Sequence, residues 1–241
     1  RPFGTSADDE GKIFINSQSW ALISGTAPPE REEACITSLE KYLMTPSGPM
    51  TLFPAYTAMR EDIGKLTQKT PGTGENGSVY CHAATFYAYG LYVTRRADDA
   101  FRALRMLLTG AGSNTLKRSG QLPLYVPNAY WGTAMGKRAG GSSHSPNTGT
   151  AAWYYRTTVA MLLGVRGEFD GLRLDPQLPS SWNRAKVWYT FRGADFTIDI
   201  RRQKNAASVS VTLDGQPLPD TLVPPQPAAS KHRIVVIVPN A

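Results

Sequence analysis

Gly72–Val93 reads GTGENGSVYCHAATFYAYGLYV, a glycine-rich turn followed by a stretch that is apolar on most sides. The turn alternates glycine with polar residues around a lone carboxylate, Glu75, as a tight loop with positive φ requires. From Ser78 onward Val79, Ala83, Ala84, Phe86, Tyr87, Leu91 and Tyr92 leave no polar stripe. The pattern predicts a deeply buried helix over 78–93 with His82 at its exposed start. The first part of the chain therefore reads as helical. A second turn, Asn147-Thr148-Gly149-Thr150, opens another buried helix predicted over 148–165. Hydroxyls and glycine at a helix start suit an anion, so the two turns together outline an oxyanion pocket.

The surroundings extend this helical reading. Asn16 or Ser17 can cap a short helix that Gly25 ends, and the Pro28-Pro29 pair starts a longer one, 30–44, acidic in its first turn and stopped by Pro46 and Gly48. Residues 97–109 are amphipathic, with Phe101, Leu104, Leu107 and Leu108 on one face before Gly110. Residues 111–147 form a long irregular passage. Its Leu122, Leu124, Tyr125, Val126, Tyr130 and Trp131 favour order, which marks a functional loop.

At Arg166 the texture changes to period-two segments, 187–191, 196–200, 209–213 and 234–238, separated by turns such as Arg192-Gly193 and Asp214-Gly215. The sequence thus predicts an α+β chain, helical over 1–166 and antiparallel β over 167–241. Pro224 to Ala229 reads as an edge loop.

Composition narrows the function. The chain has 241 residues, 41% of them hydrophobic, enough for a substantial core. No apolar run reaches membrane-spanning length, and Arg1-Pro2-Phe3-Gly4 has no signal-peptide pattern. Residues 1–12 read as a loop entered midway, an expectation of a fragment of a longer protein. The net charge of +7 is scattered over Arg95-Arg96, Lys117-Arg118, Lys137-Arg138 and Arg201-Arg202-Lys204. Without a basic tract or a groove-reading motif, nucleic acid is not an expected partner, while anionic small substrates stay open. Cys35 and Cys81 lack disulfide-framework and metal spacing, in keeping with core packing and a reducing, cytoplasmic setting. No HExxH, P-loop, CxxC or Ser-His-Asp order is present, which leaves metal hydrolysis, nucleotide binding and nucleophilic triads without residues to carry them.

Each candidate has a plainer reading beside it. Thr148, Gly149 and Thr150 can hold a phosphate-like dianion with His82 as a further donor. Thr148 can equally be a helix cap, and His82 a core histidine bonded to a carbonyl. Glu75 in its turn and the lysines of 65–69 can be solvated surface charge. Tyr125, Tyr130, Trp131, Trp153 and Tyr154 suit sugar faces and suit a core.

Four motifs in order, GKIFINSQSW (11–20), ENG with CHA (75–77, 81–83), TGTAAW (148–153) and FDGLRLDP (169–176), closely resemble glycoside hydrolase family 94 across nearly the whole chain. This is the family of cellobiose, chitobiose and cellobionic acid phosphorylases. The resemblance implies the closing helices of an (α/α)6 barrel followed by a C-terminal antiparallel β-sandwich domain. It implies inverting phosphorolysis of a β-linked disaccharide by inorganic phosphate, with no cofactor and no metal, in a homodimer. The family's phosphate holders map onto His82, Thr148 and Gly149, and Glu75 and Asn128 fall at sugar subsites. The general acid is an Asp preceding the IFINSQSW motif, expected upstream of residue 1; Asp8 and Asp9 lack its context. Cellobiose phosphorylases carry tyrosine and lysine where Lys69 and Gly74 stand here. Lys69, with Lys65 four residues earlier, places cations at the leaving sugar. The departure is similar to the cellobionic acid enzymes, which release gluconate. The alternatives are a neutral cellobiose phosphorylase or a non-catalytic carbohydrate-binding protein on a degenerate barrel.

Overall fold

The structure is a computed structural model and describes residues 3–110, 114–122, 126–143 and 148–240, with the side chain of Thr148 outside the description. The chain divides into two compact units, Arg1–Tyr155 and Arg156–Ala241.

The first unit opens with β1 (Ile13–Phe14) and α1 (Ile15–Ser24), which Gly25 ends in a left-handed conformation, its N–H bonded to Leu22 O. Neither Asn16 nor Ser17 caps α1. The cap position is Phe14, without a side-chain bond, because β1 pairs with β4 (Leu52–Phe53) and fixes where the helix begins. Next come α2 (Pro29–Tyr42) and a small hairpin of β2 (Met44–Thr45) with β3 (Gly48–Pro49), then a 3-10 turn at Lys65–Gln68. The central helix is α3 (Cys81–Val93). It starts later than its apolar pattern predicts because β5 (Val79–Tyr80) pairs with β6 (Ala129–Tyr130). Nine of the 13 residues of α3 are buried, in agreement with its lack of a polar face.

Gly90 lets α1 lie close against α3: a Cβ there would stand 3.0 Å from Leu22 Cβ and 3.3 Å from Ser19 O. On another side α3 meets α4 (Ala97–Met106), whose first turn carries Asp98 and Asp99 and whose Ala100, Ala103 and Leu104 are buried. Tyr87 and Arg102 both donate to Glu40 Oε1 at 2.9 Å, tying α2, α3 and α4 together. The long irregular passage holds α5 (Leu116–Ser119), β6 and a 3-10 segment, Thr133–Arg138. It leads to α6 (Thr148–Thr157).

Helix α6 ends sooner than predicted. A π-turn, Thr158–Leu162, follows, and Gly164 at φ +63° turns the chain into β7 (Val165–Gly167).

In the second unit β7 pairs with β8 (Leu172–Leu174), which pairs with β13 (Leu222–Val223). A five-stranded sheet runs in the order β12 (Gln216–Pro217), β11 (Ser210–Leu213), β14 (Lys231–Val238), β10 (Ala194–Arg202), β9 (Arg184–Phe191). The expectation of a purely antiparallel part is overturned at one place, because β10 and β14 pair in parallel from Asp195↔Lys231 to Arg202↔Val238. The chain leaves β10, makes the β11–β12 hairpin and β13, and only then returns. A connection that long permits parallel pairing where a tight hairpin forbids it. Both sheets feed one apolar cluster, including Leu172, Leu174, Phe196, Ile198, Val211, Ile234 and Val236.

Candidate functional site

Asn76 organises the glycine-rich turn. It is fully buried: Oδ1 accepts from Tyr56 N, and Nδ2 donates to Tyr56 O and Lys69 O, all at 2.8 Å. A buried amide is tolerable only when satisfied in this way. The turn is closed by Gly72 N to Asn76 O at 2.7 Å, and Gly132 N donates to Gly72 O at 2.9 Å. Gly132 has room for no side chain, since a Cβ would lie 1.8 Å from Gly77 O. Asn76 was missed as an organiser, although an Asn between glycines is the available signal.

Pairing of β5 with β6 delivers the chain to α3, and Cys81 N donates to Asn128 O at 2.9 Å. His82 follows immediately. Its ring is half-buried, not presented at an exposed helix start, and burial holds its imidazole below the ordinary value, so it is neutral at pH 7. The ring belongs to an aromatic cluster of tilted and edge-to-face contacts in which the His82 ring centroid lies 4.6 Å from Phe86, Phe86 lies 4.6 Å from Trp153, and Tyr89 lies 5.7 Å from Trp153. One face of α3 thus meets one face of α6, with Trp20 of α1 5.3 Å from Phe86.

At the start of α6, Gly149 sits against the His82 ring: a Cβ there would be 2.8 Å from both Cε1 and Nδ1. The structure therefore brings His82 and Gly149 together. His82 Nε2, Asn128 Oδ1 and Thr150 Oγ1 are buried and find no hydrogen-bond partner among the described residues. Buried polar atoms without partners are expensive, and these three belong to residues at or beside the starts of α3 and α6. The Thr148 hydroxyl, Asn147 and residues 123–125 lie outside the described residues.

Lys69 forms an ion pair with Glu75, both side chains about half exposed, and its stem passes over Gly74. The hydrogen bond from Lys69 holds the Glu75 carboxyl below its ordinary range. Lys65 is exposed at the start of its 3-10 turn. Asp8 Oδ2 accepts from Thr5 N and Thr5 Oγ1, both at 3.1 Å, so it serves a local turn.

The chain shows no Ser-His-Asp order in sequence, yet the sheet brings a serine, a histidine and an aspartate together. In the second unit His232 Nε2 is 2.7 Å from Ser230 Oγ, and its Nδ1 is 2.7 Å from Asp214 Oδ2. The order Asp, Ser, His hid it, since β11 and β14 are brought side by side only by the sheet. The arrangement is not an activated nucleophile. Ser230 Oγ donates to Pro227 O at 2.5 Å, which leaves the histidine no serine proton to take. Among the described residues no group of three or more His, Cys, Asp or Glu could hold a metal, and no helix is long and apolar enough to cross a membrane.

A family model described as the glycosyl hydrolase 94 superfamily, catalytic domain, matches residues 1–164. The chain belongs to that family. It is 42% identical over 240 residues to the cellobionic acid phosphorylase of Neurospora crassa, covering 98% of this chain and 30% of that protein, a C-terminal part. It is 38% identical over 217 residues to the 3-O-beta-D-glucopyranosyl-beta-D-glucuronide phosphorylase of Paenibacillus borealis, covering 89% and 28% respectively. A third relative, the N,N'-diacetylchitobiose phosphorylase of Vibrio proteolyticus, is 28% identical over 240 residues, covering 98% and 29%.

Proposed function

We propose that the chain is part of an inverting disaccharide phosphorylase that cleaves cellobionic acid with inorganic phosphate. The observation that carries this reading is the contact of Gly149 with the His82 ring, near three buried polar atoms that find no partner among the described residues. His82, Thr148 and Gly149 hold the phosphate, while Glu75 and Asn128 line the sugar subsites. A phosphate oxygen attacks the anomeric carbon of the glucosyl unit as the bond to the leaving oxygen breaks. That oxygen takes its proton from a general acid, assigned here to no residue of the chain. The products are α-glucose 1-phosphate and gluconate. An anionic nucleophile needs placement rather than a base, which fits a neutral histidine and a helix start better than a carboxylate.

In the wider fold, the reading takes residues 1–166 as the closing part of an (α/α)6 barrel and 167–241 as a β-sandwich domain, in a cytoplasmic homodimer without a cofactor. Lys65 and Lys69 would read the acceptor carboxylate. Two of the relatives act, by name, on cellobionic acid and on a glucuronide, which supports an acidic acceptor. One observation favours a second reading, a neutral acceptor such as cellobiose: Lys69 already has Glu75 as its counter-ion.

Phosphate-dependent release of α-glucose 1-phosphate from cellobionate, with cellobiose as control, separates these readings. Selective loss of cellobionate turnover in Lys69→Ala supports the acidic acceptor. Preference for cellobiose with a silent Lys69→Ala supports the neutral one, and hydrolysis independent of phosphate overturns both.

A further inference from the structure

A cavity of about 520 Å3 is lined by the β2–β3 hairpin, by α5 and by residues 131–141, and its volume lies in the range that holds small ligands. Lys117, Arg118, Lys137 and Arg138 all line it, and no carboxylate does. Among the described residues, none of the four pairs with an acid. Two basic dipeptides twenty residues apart in the chain thus converge on one wall.

The backbone is shaped to seat two of the lining side chains. Gly140, at φ +81°, lies under Arg118: a Cβ there would be 2.6 Å from Arg118 Cδ and 3.0 Å from Ser47 Oγ. Gly141 lies under the indole of Trp131, with Cε3 3.1 Å from where a Cβ would stand. Reciprocal bonds Gly140 N to Trp131 O and Trp131 N to Gly141 O, both 2.8 Å, close this hairpin. Ser142 N donates to Ser119 O at 2.8 Å and so fastens it to α5, which carries Lys117 and Arg118. Freely solvated surface cations need no such cradle. Concentrated positive charge beside an aromatic face, in a concave site, matches a ligand with an anionic group on a pyranose ring.

We propose that this cavity binds a phosphorylated monosaccharide, with Arg118 and the lysines on the phosphate and Trp131 against the sugar face. His82 and Gly149 are not among its lining residues, so the proposal does not depend on the assignment made to them.

The test is calorimetric titration with glucose 6-phosphate, glucose 1-phosphate, glucose and inorganic phosphate, each alone, on wild type, Arg118→Ala/Lys137→Ala, Trp131→Ala and His82→Ala. Arg118 and Lys137 are exposed, so their replacement leaves folding intact, and an unchanged thermal midpoint verifies this. The expected result is binding of a hexose phosphate that His82→Ala retains, that the double variant weakens at least about tenfold, and that Trp131→Ala also weakens. On His82→Ala, inorganic phosphate and glucose each bind at least about tenfold more weakly than the better hexose phosphate. Binding that His82→Ala abolishes and the double variant keeps overturns the proposal. Inorganic phosphate binding to His82→Ala as tightly as the ester, or no binding of either ester to that variant, overturns it equally.

Discussion

At the scale of single residues, the site rests on a missing side chain. Gly149 is the second residue of α6, where alanine would ordinarily favour the helix by about 1 kcal/mol. Here its Cβ would come within 2.8 Å of the His82 ring, and overpacking of that kind costs about 1–3 kcal/mol. Gly149→Ala is therefore expected to move the imidazole and raise the phosphate KM by about tenfold, with a smaller effect on the KM for the disaccharide. Steady-state kinetics against phosphate checks this, and an unchanged KM would show that the ring does not hold the anion. His82 was singled out in the sequence as a candidate donor beside a glycine turn. Its partial burial was not, because Phe86 and Trp153 close around it from two helices.

Among the elements, β10 shows how a single buried charge is kept in a sheet. Asp199 is 2% exposed, and its carboxylate accepts from Arg184 at 2.8 Å twice and from Arg201 at 2.5 and 3.0 Å. Arg201 first, then Arg184, holds its carboxyl well below the usual carboxylate range. A depressed native pKa contributes stability above the unfolded value of about 4, and that contribution is lost as the pH falls toward the native value. Asp199→Asn should accordingly lower the thermal midpoint at pH 7, and the gap from wild type should narrow once the pH passes below about 4. A gap constant from pH 7 to pH 3 would locate the effect in packing rather than in charge. The strands of this sheet were legible from their alternation, and the full set of Asp199 partners was not, since Arg184 reaches it only through the register of β9 against β10.

The whole molecule consists of two compact units. The apolar cluster of the second is drawn from residues between Val159 and Val238, so its core closes upon itself. Residues 156–241 expressed alone should give dispersed amide resonances and one cooperative thermal transition. Absence of dispersion would show that this core needs the preceding helices. The sequence by itself determined the helical and β portions, the buried character of α3, the two turns that carry the candidate phosphate site and the family motifs, because periodicity and turn chemistry act over a few residues. Tertiary structure decided what depends on distant segments meeting. It made β10 and β14 parallel, seated His82 against Gly149, and gathered Lys117-Arg118 and Lys137-Arg138 into one cavity. Each of these needs backbone or charge brought together across the fold, and spacing along a chain does not record that approach.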